Sequence, residues 1–257
     1  MNILLTAIGS FSADCVVTSL KKMGHKVIGC DIYPSHWHPV SMDCDVVYRV
    51  PFAVDDNYVP TLLDICQKDS VGCIIPLTDL EIDILRPHRD VFQEAGVLLA
   101  IQSDACLEIA RDKYRQTLFF AGHQIVKTPQ SYMADKLPSD IAIPLIAKPV
   151  NGRSSEGLRR IEKMEELELV SGKDGYVIQE VVKGNVFTVD YVRDAFGNDF
   201  AVAREELLRT KNGAGTTVRM VPDVELQKMA SAVGTALGVI GCINMEFIYD
   251  GSDFYLI

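Results

Sequence analysis

Positive charge is scarce in this chain. Its 257 residues carry 25 Lys and Arg against 35 Asp and Glu, a net charge of −10. A surface built for nucleic acid or an anionic membrane needs a cationic footprint, so both partners are excluded. Long apolar runs are also missing. None approaches the ~20 residues of a membrane span. The opening Met1-Asn2-Ile3-Leu4-Leu5 has no basic start and meets Gly9 and Ser10 too soon for a signal peptide, so it reads as a strand. The seven cysteines contain no C-x-x-C, and an odd, scattered set is no disulfide framework. Cys15, Cys30, Cys66, Cys73, Cys106 and Cys242 fall in apolar or periodic stretches, as buried free thiols do, which predicts a reducing cytoplasm. There is no G-x-G-x-x-G, no Gly-Lys-Ser/Thr loop, and no spacing that defends a Ser/His/Asp or Cys/His arrangement.

What is present suits a globular protein. The hydrophobic fraction of 48% and charged fraction of 23% are ordinary, and the length allows about two domains with real cores. Residues 3–7 form an apolar run, a turn follows at Gly9-Ser10, and Ser12 can cap a helix. Val16, Val17, Leu20 and Met23 then keep helical spacing up to Gly24, and 26–31 is a second apolar run ending in Asp31. This βαβ pattern predicts a doubly wound parallel sheet over residues 1 to about 110. It continues as a helix at 59–66, a strand at 71–76, a helix from Leu80 across Pro87 to Gly96, a strand at 97–101 and a helix capped by Ser103. Asp31 at the end of the second strand suits a ribose in a dinucleotide site, or a scaffold acid, since the glycine fingerprint is absent. His36-Trp37-His38 has the spacing of a metal pair on a strand, but Pro34 and Pro39 predict a loop packed on Trp37.

The second part, from about 111, is organised around residues 143–158 (IPLIAKPVNGRSSEGL). An apolar run ends in Lys148-Pro149 and is followed by a small Gly/Ser loop. A lysine closing a strand beside such a loop can clamp a phosphate with its ammonium and the loop's N–H groups. The same pattern also describes a surface hairpin with a soluble tip. Around it lie a helix opened by Arg111-Asp112-Lys113, Pro129 on a connecting strand, a charged helix over 161–171, and a strand at 176–182. A strand at 186–192 follows, with a hairpin at 196–199 returning through 200–203. A helix ending at Gly238, a strand at 242–249 carrying Glu246, and a last strand at 254–257 complete the chain. The chain stops inside an apolar strand, which reads as a split or truncated product.

The series RDKYRQTLFFAG, PLIAKPVNGRSSEG, YVIQEVVKGNVFTVD and INMEFIYDGSDFYLI, preceded by IIPLTDLEIDIL, resembles the ATP-grasp superfamily. Its carbamoyl-phosphate-synthase-like and carboxylate–amine ligase members are the nearest in pattern. The resemblance implies an α/β pre-ATP-grasp domain over 1–110. An α+β ATP-grasp module over 111–257 would follow, with a lid subdomain at about 125–182 and an incomplete second subdomain at 183–257. It implies ATP and Mg²⁺ as cofactors. Lys113 and Lys148 would contact the α- and β-phosphates, and the loop with Gly152, Ser154, Ser155 and Gly157 would close over them. Gln179, the Glu180 carbonyl and the Val182 amide would read adenine, and Lys183-Gly184 would free those groups from sheet pairing. Glu246 sits in a strand whose neighbours Met245 and Phe247 face the other way, which suits a core acid with a partner; the resemblance implies a Mg²⁺ ligand instead. Of Arg204, Arg209, Lys211 and Arg219, Arg204 and Arg219 are expected first at a γ-phosphate or a substrate carboxylate, against a solvated face.

Two departures stand out. Val186 occupies the place where the family carries a ribose-gripping acid, and Asp190 is the candidate to compensate. The family's second metal carboxylate would fall beyond Ile257, so impaired activity is expected. The implied reaction joins a small-molecule carboxylate to an amine or ammonia through an acyl phosphate. The alternatives are a non-catalytic nucleotide-binding partner of a split ligase and a dinucleotide-dependent Rossmann enzyme; the expected partners are a chain carrying the missing C-terminal part and a second copy in a homodimer.

Overall fold

The computed structural model describes residues 1–152, 155–211, 213 and 215–257. They form two compact units, Met1–Ile101 and Gln102–Ile257.

In the first unit, β1 (Asn2–Leu5), β2 (Lys26–Asp31), β3 (Val46–Arg49), β4 (Val71–Ile75) and β5 (Leu98–Leu99) make a parallel sheet of order β3-β2-β1-β4-β5. Nearly continuous burial along β1 and β2 is what a parallel sheet covered on both faces requires. Helix α1 (Ala13–Lys22) seals one face with Ala13 and Val17 against Leu5 and Val27. Helix α2 (Tyr58–Asp69) seals the other with Leu62 and Ile65 near Leu4, Ile28 and Ile74. The expected single helix from Leu80 to Gly96 is two, α3 (Asp79–Leu85) and α4 (Arg89–Glu94), separated by a 3-10 turn. Pro87 causes the break, since its ring leaves no room for a continuing α-helix. The sequence reading passed over β3, whose four residues offer too short a pattern.

The second unit opens with α5 (Asp104–Ala110) and α6 (Lys113–Phe119). A four-stranded antiparallel sheet follows, in the order β6-β9-β7-β8. Its strands are β6 (Ser131–Met133), β7 (Leu145–Pro149), β8 (Arg159–Ile161) and, after the single turn α7 (Met164–Glu168), β9 (Tyr176–Glu180). The charged helix expected over 161–171 is thereby corrected. Ile161 is drawn into the sheet opposite Leu145, and only 164–168 stays helical. β7 and β8 pair antiparallel, so the Lys148 loop is a hairpin tip.

A larger sheet of order β12-β11-β10-β13-β14 completes the unit. It comprises β10 (Asn185–Arg193), β11 (Asp199–Arg209), β12 (Gly215–Met220), β13 (Gly241–Tyr249) and β14 (Phe254–Leu256), with α8 (Val224–Ala236) before β13. Phe187, Val189, Tyr191, Met245 and Phe247 share the face that α8 covers with Leu226, Ala230 and Val233. Strand alternation turns Val186, Thr188, Glu246 and Ile248 to the opposite face. β12 is exposed along its whole length and so carries no alternation to read; it exists because β11 pairs with it.

Gly184 stands just before β10, where the chain passes the Tyr249 carbonyl. A Cβ there would lie 1.8 Å from that oxygen. Gly184→Ala is expected to destabilise the second unit by about 3 kcal/mol, measured as a lower urea midpoint for that unit's transition.

Candidate functional site

One face of the large sheet and one face of the small sheet bound a cleft of about 350 Å³ within the second unit. Its charged end is built from three places in the chain. Asp112 caps α6 by accepting hydrogen bonds from Tyr114 N and Arg115 N at 2.9 Å, which sets Lys113 on the first turn. The Lys113 ammonium donates to the Gly152 carbonyl, and its backbone N–H donates to Val150 O at 3.0 Å, so this lysine ties the helix to the hairpin tip. Lys148 enters the cleft from β7, and Glu246 from the floor strand β13. Arg209, at the end of β11, joins them and forms an ion pair with Glu246.

The hairpin tip is tight. Ser155 and Gly157 have positive φ of 56° and 70°. A Cβ on Gly157 would come within 2.9 Å of Pro149 Cγ, so this glycine lets the tip fold back on its own strand. Gly152 and Ser155 line the cleft, whereas Gly157 packs behind it on Pro149 and Tyr176. Ser154 lies outside the described residues.

The other end is apolar with a polar edge. Gln179, Glu180 and Val182 line it, together with Pro129, Ile146, Val186, Ile248 and Ile257. Gln179 is 4% exposed, and its Nε2 donates to Ser131 Oγ at 2.8 Å, which fixes the amide. Glu180 is latched to Gln130, whose N–H donates to its Oε1 at 2.9 Å. Residues 181–184 lie outside any strand before β10 begins. Val186 and Ile248 are cross-strand partners, one step along from the pair Thr188 and Glu246.

Several expected residues sit elsewhere. Asp190 receives Arg204 as an ion pair and accepts from Asn244 Nδ2 at 2.7 Å; neither Asp190 nor Arg204 lines the cleft. Arg219 pairs with the buried Glu205 across β11 and β12, also away from the cleft. Of the arginines expected near the site, Arg209 lines the charged end. Sequence reading missed this ranking because the bulges near Leu208 and Arg209, which shift β11's pairing register, leave no signal in residue type. Glu206, buried behind Arg209, was missed for the same reason.

In the first unit the turn after β1, where the dinucleotide alternative would place its ligand, is tied to the protein's own side chains. The Gly9 N–H donates to Asp31 Oδ2 at 2.9 Å, Asp31 Oδ1 accepts from Tyr33 N at 3.0 Å, and His38 lies 3.2 Å from that carboxylate. A Cβ on Gly9 would fall 2.6 Å from the His38 ring, so the turn is filled by the protein's own side chain. The expected loop around His36 and His38 is present as two 3-10 turns, but Trp37 is 61% exposed and stacks on Tyr33; His38 is the side chain that packs inward. Among the described residues no group of three or more His, Cys, Asp or Glu gathers as a metal site. Cys15 and Cys242 are exposed, against expectation, while Cys30, Cys66, Cys73 and Cys106 are buried. No helix among the described residues is long and apolar enough to cross a membrane.

The ATP-grasp domain profile matches residues 110–257, which contain the whole cleft, and a PylC-like N-terminal domain profile matches 3–100. The chain belongs to the ATP-grasp family. The carbamoyl phosphate synthase large chain of Clostridium acetobutylicum is 24% identical over 272 residues, covering 96% of this chain and 25% of that protein. The chain spans about a quarter of the length of the curated relatives it matches. Among solved structures, the biotin carboxylase domain of Hydrogenobacter thermophilus 2-oxoglutarate carboxylase superposes with a TM-score of 0.79 at 16% identity, covering all of this chain and 62% of that one. N5-carboxyaminoimidazole ribonucleotide synthetase of Thermotoga maritima gives 0.74 at 20%, covering all of this chain and 67% of that one. These likenesses show that the fold is that of ATP-grasp proteins.

Within this ATP-grasp cleft, charge is held partly out of water. Burial pushes the Lys148 ammonium down to about 8, the nearby Lys113 adds to this, and Glu246 opposes it. Burial raises the Glu246 carboxyl, while its pairing with Arg209 pulls the other way. The oxygen donor at Glu246, one-third exposed and set among cations, fits a hard divalent cation such as Mg²⁺ that takes further ligands from phosphate. With a folded value near 8 and an unfolded one near 10.5, the Lys148 penalty is complete below pH 8 and fades as pH rises to 10.5. Lys148→Met is therefore expected to gain about 2 kcal/mol in urea unfolding at pH 7. That gain should shrink as the pH is taken from 8 to 10.5.

Proposed function

We propose that the cleft binds Mg²⁺·ATP for the activation of a carboxylate and its capture by an amine or ammonia. The observation carrying this reading is the convergence of Lys113, Lys148 and Arg209 on one cleft in a chain whose net charge is −10. The three cations come from separate elements, so they can meet successive phosphates of one polyanion. The Hydrogenobacter thermophilus domain was solved with MgADP and bicarbonate, which supports the same class of ligand here.

The base would lie at the apolar end, its polar edge meeting Gln179 and the backbone at Glu180 and Val182. The sugar would lie over Val186 and Ile248. The triphosphate would reach Lys113 and Lys148 under the hairpin tip. Mg²⁺ at Glu246 would spread charge on the phosphates. The chain's own part is to hold the γ-phosphoryl in line and neutralise it, Arg209 included. A carboxylate oxygen then bonds to the γ-phosphorus as the bond to ADP breaks. The amine nitrogen next bonds to the acyl carbon, phosphate departs, and the amine proton is released. No covalent protein intermediate is required.

Calorimetric titration with Mg²⁺·ATP tests the binding. Lys148→Ala is expected to weaken affinity about tenfold or more. The wild-type affinity should fall as pH rises above about 8, with proton uptake on binding, because only the charged lysine meets phosphate. Unchanged affinity in the variant would remove the phosphate assignment. Val186→Glu is expected to favour ATP over 2′-deoxy-ATP, read as a widened affinity ratio, since a carboxylate there can accept from the sugar hydroxyls.

A further inference from the structure

Glu206 is the one strongly buried carboxylate next to the cleft, with a side chain 4% exposed. Its position is fixed on two sides. Thr188 Oγ1 donates to its Oε1 at 2.6 Å, and Gly215 presses on the carboxyl, where an added Cβ would lie 2.9 Å from Glu206 Cδ. Its Oε2 is buried and receives no hydrogen bond among the described residues. Arg209 Nε stands 2.7 Å from that oxygen, but its N–H is directed to the Gly213 carbonyl at 2.9 Å. Oε2 therefore receives positive charge without a directed donor. The same guanidinium pairs through Nη2 with Glu246. One arginine thus stands between two carboxylates from different strands.

We propose that Arg209 is an internal stand-in for a divalent cation, and that Glu206 is a second carboxylate available to that cation beside Glu246. The proposal rests on the reading above only in placing a metal at Glu246. Removing Arg209 alone would strand a buried, paired carboxylate without countercharge, which is strongly unfavourable. A divalent cation entering between Glu206 and Glu246 satisfies both carboxylates and gives Oε2 the ligand it lacks. Hard divalent cations take carboxylate oxygens of this kind. The displaced guanidinium is then free to meet an anion in the cleft, so metal entry and the turning of Arg209 toward phosphate are one exchange.

The test uses Mn²⁺ alone, without nucleotide, with bound and free ion distinguished by electron paramagnetic resonance. Arg209→Met is expected to bind Mn²⁺ about tenfold or more tightly than wild type, because two carboxylates lose their resident cation. Adding Glu206→Gln in that background should abolish the gain. No gain in Arg209→Met, or a gain that survives Glu206→Gln, overturns the proposal. If Arg209→Met does not fold, the wild-type chain is labelled with ¹⁵N-arginine and titrated with Mg²⁺ alone. A saturable shift of the Arg209 Nε–H signal, assigned through Arg209→Lys, supports the exchange, and an unmoved signal overturns it. Absence of ATP binding in calorimetry would remove the nucleotide reading and leave this result standing, so the two failures are distinguishable.

Discussion

A charge held out of water must find its opposite nearby or give up its proton, and that constraint shapes the second unit. Lys113, Lys148, Arg209, Glu206 and Glu246 are gathered at one end of one cleft, drawn from a helix start and three strands. Glu156 and Glu180 line the same cleft, so the cations gathered there are matched by carboxylates, within a chain that is strongly acidic as a whole. The depressed Lys148 and the raised Glu246 are the two sides of this arrangement. Neither group has enough water to keep its usual ionisation without the other's field. An anion arriving with a divalent cation brings both missing charges.

The framework that gathers these groups is apolar and ordinary. The floor strands β10 and β13 bury odd-numbered positions against α8, and the even-numbered ones are left for the cleft. Glu246 faces the cleft because Met245 and Phe247 are core residues. The wall comes from a hairpin whose tip is anchored by Lys113, so a cleft-lining lysine also serves as a fastening between α6 and the loop. Gly184 lets the chain pass the Tyr249 carbonyl and step from the small sheet to the large one at the cleft's edge.

Much of this was legible in residue order. The βαβ opening, the helix begun by Asp112-Lys113, the strand ending in Lys148 and the acid inside INMEFIYDG all have local signatures of periodicity and capping. The misreadings have local causes too. β12 has no buried face, 161–171 has helical composition but is claimed at Ile161 by a partner strand, and Pro87 was allowed to pass through a helix it interrupts.

Residue order alone therefore determined the family, the two-part architecture and the placing of Lys113 at a helix start and Lys148 near a strand end, because each rests on contacts between near neighbours or on spacing along one strand. It could not choose among Arg204, Arg209 and Arg219, reveal Glu206, or close the Gly9 turn with His38. Those depend on which side chain a distant segment brings opposite, through a bulged register in β11 and the packing of a loop, and only the folded chain decides that.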